Sequence, residues 1–232
     1  MKFKSILFVL AALVVFAACK PQGSSRNENL TTSADSASYA IGVLVGDQNK
    51  QQLESTGSKD FNTDILVTAF EKQLKGEETK MTIEDARTFI QSYFKKMADV
   101  KGEKNKQEGA EFLAKNKEKE GVKVTESGLQ YEIIKEGNGP KPTADQKVKV
   151  DYTGTLIDGT VFDSSVERGE PATFGVGQVI PGWTEALKLM TVGSKWKVYI
   201  PGDLAYGARG AGADIGPNQT LVFEVELLEI VK

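Results

Sequence analysis

Hydrophobic residues in the first half of the chain recur every three or four positions, which is the spacing of amphipathic helices. One such segment begins at Ser33, a second ends at Gly76, and a third begins at Thr82. Thr82 and Asp85 form the pattern of a capped helix start. These short helices have broad apolar faces and little core of their own. We therefore expect residues 33–98 to form an all-α dimerisation domain, the alternative being that the helices pack on the C-terminal half.

A strongly charged segment follows at residues 99–120. We interpret it as a solvent-exposed helix that continues the third one, so that residues 99–121 connect the two halves of the chain. Gly102 and Gly109 each weaken such a helix by about 1 kcal/mol relative to alanine. Its continuity through these glycines is therefore open, and a disordered linker is the alternative.

Beyond Gly121 the apolar residues alternate with polar ones, which indicates strands with one buried face. Asp158-Gly159 is typical of a two-residue hairpin turn. Only residues 182–190 have a helical pattern. The predicted fold class is thus α+β, with a twisted antiparallel sheet wrapped on one short helix at residues 122–232. An all-α region and a long charged helix precede it.

The start of the chain has the pattern of a secretion signal. Two lysines lie within residues 1–5, and thirteen apolar residues follow at 6–18. That run is too short for a bilayer, which requires about 20 residues, but it suits a signal peptide. We predict that residues 1–18 are a signal peptide and that residues 19–32 form a flexible tether.

The residues just before Cys19 resemble the lipobox of bacterial lipoproteins. The resemblance implies that the Cys19 thiol carries diacylglycerol, that the mature N-terminus is acylated with fatty acids such as palmitate, and that the protein is anchored in the bacterial cell envelope. Lys20, in place of the aspartate of many inner-membrane lipoproteins, favours the outer membrane. A soluble secreted form is the alternative.

Composition restricts the chemistry that this chain can perform. Its 232 residues include no histidine and one cysteine, so catalytic histidines, His-ligated zinc and a disulfide framework within the chain are excluded. A net charge of −3 argues against a nucleic-acid partner. We expect neither a metal nor a cofactor. Carboxylates, hydroxyls, aromatic rings and the backbone remain.

Five motifs in the C-terminal half carry a family resemblance. They occur at residues 150–154 (VDYTG), 158–165 (DGTVFDSS), 179–183 (VIPGW), 205–207 (AYG) and 220–225 (TLVFEV). Together they resemble the FKBP family of peptidyl-prolyl cis/trans isomerases. The order of all the segments resembles the family's macrophage infectivity potentiator branch, whose members are homodimers joined through their N-terminal helices. The resemblance implies a homodimeric isomerase whose partners are unfolded or partly folded proteins with X-Pro bonds, and possible macrolide inhibitors.

The resemblance also implies a proline-binding pocket. The residues that it assigns to substrate binding are Tyr152, Phe162, Asp163, Phe174, Val179, Ile180, Trp183, Tyr206, Ile215 and Phe223. Asp163, Tyr206 and Trp183 carry the catalytic roles, with Trp183 beneath the proline ring. The Ile180 N–H and the Tyr206 hydroxyl are the expected donors to substrate carbonyls. From periodicity alone, plain core packing is the favoured interpretation of each single aromatic residue. The family's ordered motifs reverse that preference for Trp183, Tyr206, Phe162 and Asp163.

The expected chemistry moves no proton and forms no covalent bond. Rotation about X-Pro breaks amide resonance, and an apolar pocket disfavours the more dipolar planar amide. An alternative function is a dimeric holdase chaperone with weak isomerase activity. A third is an adhesin or signalling lipoprotein that uses the domain only as a scaffold.

Overall fold

The computed structural model describes residues 29–55 and 61–231. The predicted signal peptide and Cys19 lie outside these residues. Helices α1 (Ser33–Ser55), α2 (Thr63–Lys75) and α3 (Ile83–Asn116) form the N-terminal half. α1 belongs to one compact unit, and α2, α3 and the whole C-terminal half belong to a second. No helix within the described ranges is long and apolar enough to cross a membrane.

The ends of α2 and α3 follow the local signals in the sequence. The Asn62 side chain accepts a hydrogen bond from the Ile65 N–H before α2, and Gly76 ends that helix in a left-handed conformation with φ of 67°. Before α3, the Thr82 hydroxyl oxygen accepts from the Asp85 N–H at 3.1 Å. The predicted stop and start are therefore confirmed.

α3 is one helix that passes through both Gly102 and Gly109 without a break and ends at Asn116, before the predicted end at residue 121. Most of its C-terminal part is exposed, as expected. The expectation of a fully solvated connecting helix is nevertheless wrong for one face. Gly102, Asn105, Gly109 and Asn116 are buried against the C-terminal half. Small and amide residues escape a search for apolar stripes, so the sequence pattern did not indicate this contact.

The last turn of α3 is fixed to the sheet by side-chain amides. Asn116 Nδ2 donates to Gln130 Oε1 at 3.0 Å, and Gln130 Nε2 donates to the Leu113 carbonyl at 2.9 Å. The Phe112 ring lies 6.0 Å from the Tyr199 ring. This end of the helix is therefore attached through specific polar and aromatic contacts.

The C-terminal half is one antiparallel sheet of seven strands in the order β1-β2-β6-β7-β3-β4, with β5 beside β4 on the same edge of β3. The strands are β1 (Val122–Val124), β2 (Gln130–Lys135), β3 (Lys147–Leu156), β4 (Val161–Ser164), β5 (Ala172–Gly175), β6 (Lys195–Ile200) and β7 (Leu221–Val231). β3 and β7 are the longest strands and lie side by side at the centre of the path. The predicted α+β fold is confirmed.

The predicted hairpin joins β3 to β4. The Leu156 N–H donates to the Thr160 carbonyl at 2.9 Å, and the Gly159 N–H donates to the Leu156 carbonyl at 3.0 Å. Residues 157–160 connect the strands, so the turn is longer than the two residues that Asp158-Gly159 suggested. The register shift between Gly154 and Thr155 accommodates it.

Helix α5 (Pro181–Leu189) packs on the inner face of the sheet, as predicted for residues 182–190. Pro181 occupies the first turn, where a missing N–H costs nothing. Trp183 and Leu187 are buried on the face that points at the sheet. A second helical segment, the short α4 (Ser165–Arg168), was not predicted because four residues give no periodicity.

Replacing Leu187 with alanine tests the packing of α5. Leu187 is 1% exposed and lies among Met190, Val198 and Val225. We expect Leu187→Ala to lower the free energy of unfolding by about 2–5 kcal/mol, because truncation leaves a cavity in the core. The exposed neighbour Lys188→Ala, measured in the same urea titration, should change it by less than about 0.5 kcal/mol. Equal effects of the two variants would show that this face of α5 is not the core face.

Candidate active site

Three aromatic rings from three strands meet around the indole of Trp183 on α5. The ring centroids of Tyr152 on β3, Phe174 on β5 and Phe223 on β7 lie 5.3, 5.6 and 5.2 Å from it. All three contacts are edge-to-face, with interplanar angles of 90°, 79° and 85°. This is the favoured geometry for aromatic pairs. The rings therefore form an apolar cluster centred on one indole, which we call the cup.

Phe162 extends this cup from β4. Its ring lies 5.5 Å from that of Phe223, again edge-to-face. Both rings cross over Gly154, where a Cβ atom would lie 2.6 Å from Phe162 Cζ and 2.7 Å from Phe223 Cε1. Glycine is required at this position of β3 because no side chain fits beneath the two rings. Sequence reasoning gave Gly154 no role.

A polar network borders the cup. The Tyr152 hydroxyl donates to Asp163 Oδ2 at 2.5 Å. Arg168 donates through Nη1 to Asp163 Oδ1 and through Nη2 to the Tyr152 hydroxyl oxygen, the latter at 3.0 Å. The guanidinium also lies 5.7 Å from the centre of the Tyr152 ring. The carboxylate therefore has both a hydrogen-bond donor and a counter-ion.

The local fold of β4 and α4 delivers this network. Ser164 caps α4 by accepting from the Glu167 N–H at 3.2 Å, which directs the helix back toward β3. The fully buried Ser165 accepts from the Tyr152 N–H at 2.9 Å and donates to Asp151 at 3.0 Å. Arg168 on α4 was missed from the sequence. A carboxylate beside an apolar pocket needs a partner, and a cation in the segment after Asp163 was the available signal.

The network separates the pKa values of its acidic groups. Burial opposes ionisation of Asp163, but hydrogen bonds from Tyr152 and Arg168, together with the charge of Arg168, outweigh it and hold the Asp163 pKa below its ordinary value. Burial, and then the hydrogen bond to Asp163, raise the pKa of Tyr152. At neutral pH the carboxylate is thus ionised and the phenol is protonated.

The remaining predicted site residues occupy the surroundings of the cup. Val179, Ile180 and Ile215 pack against the same core. Within the described part of the chain, no hydrogen bond involves the Ile180 N–H or the Tyr206 hydroxyl. Tyr206 is 42% exposed and makes no ring contact with the other aromatic residues described. The structure thus brings together the aromatic residues and Asp163, and it leaves Tyr206 on a neighbouring loop.

The residues described, 29–55 and 61–231, include no group of three or more carboxylate or cysteine side chains that could hold a metal ion. The arrangement offers a cluster of aromatic rings and one paired carboxylate. These features suit binding and distortion of a small apolar group.

Comparison with known proteins agrees with this geometry. Residues 139–228 match the family model "FKBP-type peptidyl-prolyl cis-trans isomerase", and residues 34–133 match "Domain amino terminal to FKBP-type peptidyl-prolyl isomerase". The chain is 43% identical over 231 residues to "Outer membrane protein MIP" of Legionella longbeachae, a match that covers 97% of each chain. The chain belongs to the FKBP-type peptidyl-prolyl cis-trans isomerases.

Two further FKBP-type relatives support the assignment. An FKBP-type 22 kDa peptidyl-prolyl cis-trans isomerase of Escherichia coli is 48% identical over 198 residues, which is 84% of this chain and 94% of the relative. The crystal structure of FkpA from Escherichia coli superposes with a TM-score of 0.63 at 34% identity, and the match covers 87% of this chain and 98% of that one. The activity inferred from the sequence, peptidyl-prolyl cis-trans isomerisation, is thereby confirmed.

The pH dependence of the FKBP-type activity follows from the pKa directions. The Asp163 pKa is lowered, so its stabilising contacts are complete above its ordinary value of about 4 and are lost as the pH falls through the lowered pKa. Tyr152 ionises only above about pH 10 because its pKa is raised. We expect kcat/KM for a proline tetrapeptide, measured by NMR exchange, to be flat from about pH 5 to about pH 9.

Arg168→Ala is the variant that should change this profile. It removes a hydrogen bond and a charge that lower the Asp163 pKa, so the acidic limb should move toward neutral pH. Arg87→Ala, at an exposed arginine of α3 that is not part of the cup, serves as the control. A wild-type profile with a limb close to neutral pH would contradict the assignment of these groups.

Proposed function

We propose that this chain accelerates X-Pro rotation in exported proteins by binding the proline ring in the aromatic cup over Trp183. The observation that carries the proposal is the edge-to-face enclosure of one indole by Tyr152, Phe174 and Phe223. A pyrrolidine ring is small and apolar, and ring faces are suitable surfaces for it.

Catalysis in this proposal is selective stabilisation of the twisted amide. The planar X-Pro amide owes its barrier of about 18–20 kcal/mol to resonance, which places extra negative charge on oxygen and positive charge on nitrogen. Water stabilises that dipole, and an aromatic cup excludes water. Entering the cup therefore raises the free energy of the planar form more than that of the twisted form.

Polar groups at the edge of the cup complete the site. The Ile180 N–H lies in the turn just before α5 and is free to donate to a substrate carbonyl. The Tyr206 hydroxyl is the second proposed donor and reaches the substrate from its exposed loop. Asp163, held by Tyr152 and Arg168, is the proposed orienting group, which fixes the geometry of the site through its hydrogen bonds.

The two tryptophans of the chain provide a matched test of this function. Trp183 and Trp196 are each 5% exposed, but Trp196 stacks on Tyr131 outside the cup. We expect Trp183→Ala to lower kcat/KM for a proline tetrapeptide at least about tenfold, because it removes the base of the site. Trp196→Ala should lower stability to a comparable extent and leave the activity of the folded fraction nearly unchanged.

The same assay separates the alternatives. If the wild type binds unfolded chains but does not accelerate isomerisation, the protein is a dimeric holdase or a scaffold and not an isomerase. A loss of activity in Trp183→Ala no larger than in Trp196→Ala would contradict the proposed pocket.

We also propose that the protein is a homodimer joined through its N-terminal helices. A groove of about 1020 Å³ lies between α2 and α3. Its lining includes large apolar side chains that remain exposed in the single chain, namely Ile65 (69%), Met81 (52%), Ile83 (58%) and Phe89 (56%). An isolated soluble chain rarely leaves so much contiguous apolar surface in water. A second copy, as the family resemblance implies, covers it.

Charge substitution in the groove tests dimerisation. We expect Ile65→Glu to convert a species of twice the protomer mass into a monomer in light scattering, because a buried unpaired carboxylate destabilises an apolar interface. Glu77→Lys, a charge change at an exposed position outside the groove lining, should leave the mass unchanged. A wild type that is monomeric at micromolar concentration would contradict the proposal. The tetrapeptide activity should persist in the monomer, because the cup is built within one chain.

The envelope location belongs to the same proposal. The Cys19 pattern implies a lipid anchor. The Legionella longbeachae relative is itself named an outer membrane protein, which supports an outer-membrane location for this chain.

A further inference from the structure

Along residues 102–109, one face of α3 is buried although no apolar side chain lies on it. Gly102, Asn105 and Gly109 lie on it at spacings of three and four residues, so they share one side of the helix. We call these three residues the docking face. Hydrophobic burial does not account for this contact, because glycine and asparagine contribute little apolar area.

The docking face permits close approach of the helix backbone to the start of β7. A Cβ atom at Gly109 would lie 2.3 Å from Thr220 Oγ1, which is shorter than any real contact of that kind. A Cβ atom at Gly102 would lie 3.1 Å from Asn218 Nδ2 and 3.2 Å from Pro217 Cβ. Any larger residue would therefore displace the helix or the segment that it touches.

Two amide hydrogen bonds join the same surfaces. Asn105 Nδ2 donates to the Pro217 carbonyl at 2.8 Å, and Asn105 is only 8% exposed. In the opposite direction, Asn218 Nδ2 donates to the Gly102 carbonyl at 3.4 Å. These hydrogen bonds link residues more than a hundred positions apart in the sequence. They fix the position of α3 relative to residues 217 and 218.

The segment held in this way closes a loop beside the cup. We call residues 207–218 the site loop. The Asn218 N–H donates to the Gly207 carbonyl at 2.8 Å, so the two ends of the loop are joined. Asn218 has a φ of 55°, in the left-handed region that asparagine adopts more readily than most other non-glycine residues. Gly207 directly follows Tyr206. Asn218, which contacts α3, is therefore hydrogen-bonded to the residue that follows Tyr206.

The site loop also carries Ile215. Its N–H donates to the Ala211 carbonyl at 3.1 Å, and the Ala211 N–H donates to the Ile215 carbonyl at 2.8 Å. Glycine occupies positions 207, 210, 212 and 216 of the loop. A segment so rich in glycine loses much conformational entropy when it is ordered, so it needs contacts from outside to remain in one conformation.

We propose that Asn105 and the glycines of the docking face are positioning residues for isomerisation. They hold the site loop in the conformation in which Tyr206 and Ile215 meet the substrate. This inference rests on the proposed function, because it takes the roles of those two residues from it. A free loop would have to be ordered by the substrate itself, at the expense of affinity. Loss of the docking contacts should therefore raise KM more than it lowers kcat.

The test compares substitutions on opposite faces of α3 in the full chain. Asn105→Ala removes the hydrogen bond to Pro217 without adding bulk, and Gly109→Val forces the helix away from Thr220. Gln107→Ala and Ala110→Val are the matched controls, since both positions are exposed on the same helix. We expect the docking-face variants to raise KM for a proline peptide about threefold to tenfold, with kcat within about twofold.

Amide hydrogen exchange supplies a second readout that does not depend on catalysis. The Ile215 N–H should exchange faster in Asn105→Ala and not in Gln107→Ala, because its partner Ala211 lies in the site loop. If Gly109→Val fails to fold, Asn105→Ala still tests the positioning role, because it removes only one hydrogen bond and adds no bulk.

The outcomes distinguish the two proposals. Unchanged KM and unchanged Ile215 exchange in Asn105→Ala overturn the positioning role, even if the variant is less stable. A wild type without isomerase activity overturns the proposed function instead, and the exchange measurement then still shows whether the docking face holds the loop.

Discussion

The enclosure of one indole by rings from three strands is the contact on which the site depends. Trp183 lies in the first turn of α5, whose start is set by Pro181, and α5 packs across the inner face of the sheet. The register of β3 with β5 and β7 brings Tyr152, Phe174 and Phe223 to the same end of that helix. The residues that stabilise the fold and those that form the cup are therefore largely the same.

The polar network beside the aromatic cup contains no group that gives up a proton near neutral pH. Tyr152 and Arg168 share the Asp163 carboxylate, which keeps it ionised, while Tyr152 remains protonated. Such a site offers fixed dipoles and one fixed charge. Amide rotation requires no more than these, and a chain without histidine is thus well suited to the reaction.

Sequence patterns predicted the structural features that are set by neighbouring residues, and they missed the contacts between residues that are distant in the sequence. The stop at Gly76 and the cap at Thr82 are local, and both were correct. The motifs placed the aromatic residues and Asp163 on the chain, but the contact of Arg168 with them depends on how α4 folds back. The docking face escaped notice because its partners are remote in sequence and its residues are small. The roles of the individual site residues stay predictions.

Catalysis by distortion of an amide transfers no proton. This can be measured as the solvent deuterium isotope effect on kcat/KM, with the proline tetrapeptide in light and heavy water on the flat part of the pH profile. We expect a ratio close to unity, because no exchangeable hydrogen moves in the transition state. A clearly slower reaction in heavy water would show that a proton moves in the transition state and would rule out a mechanism of distortion alone.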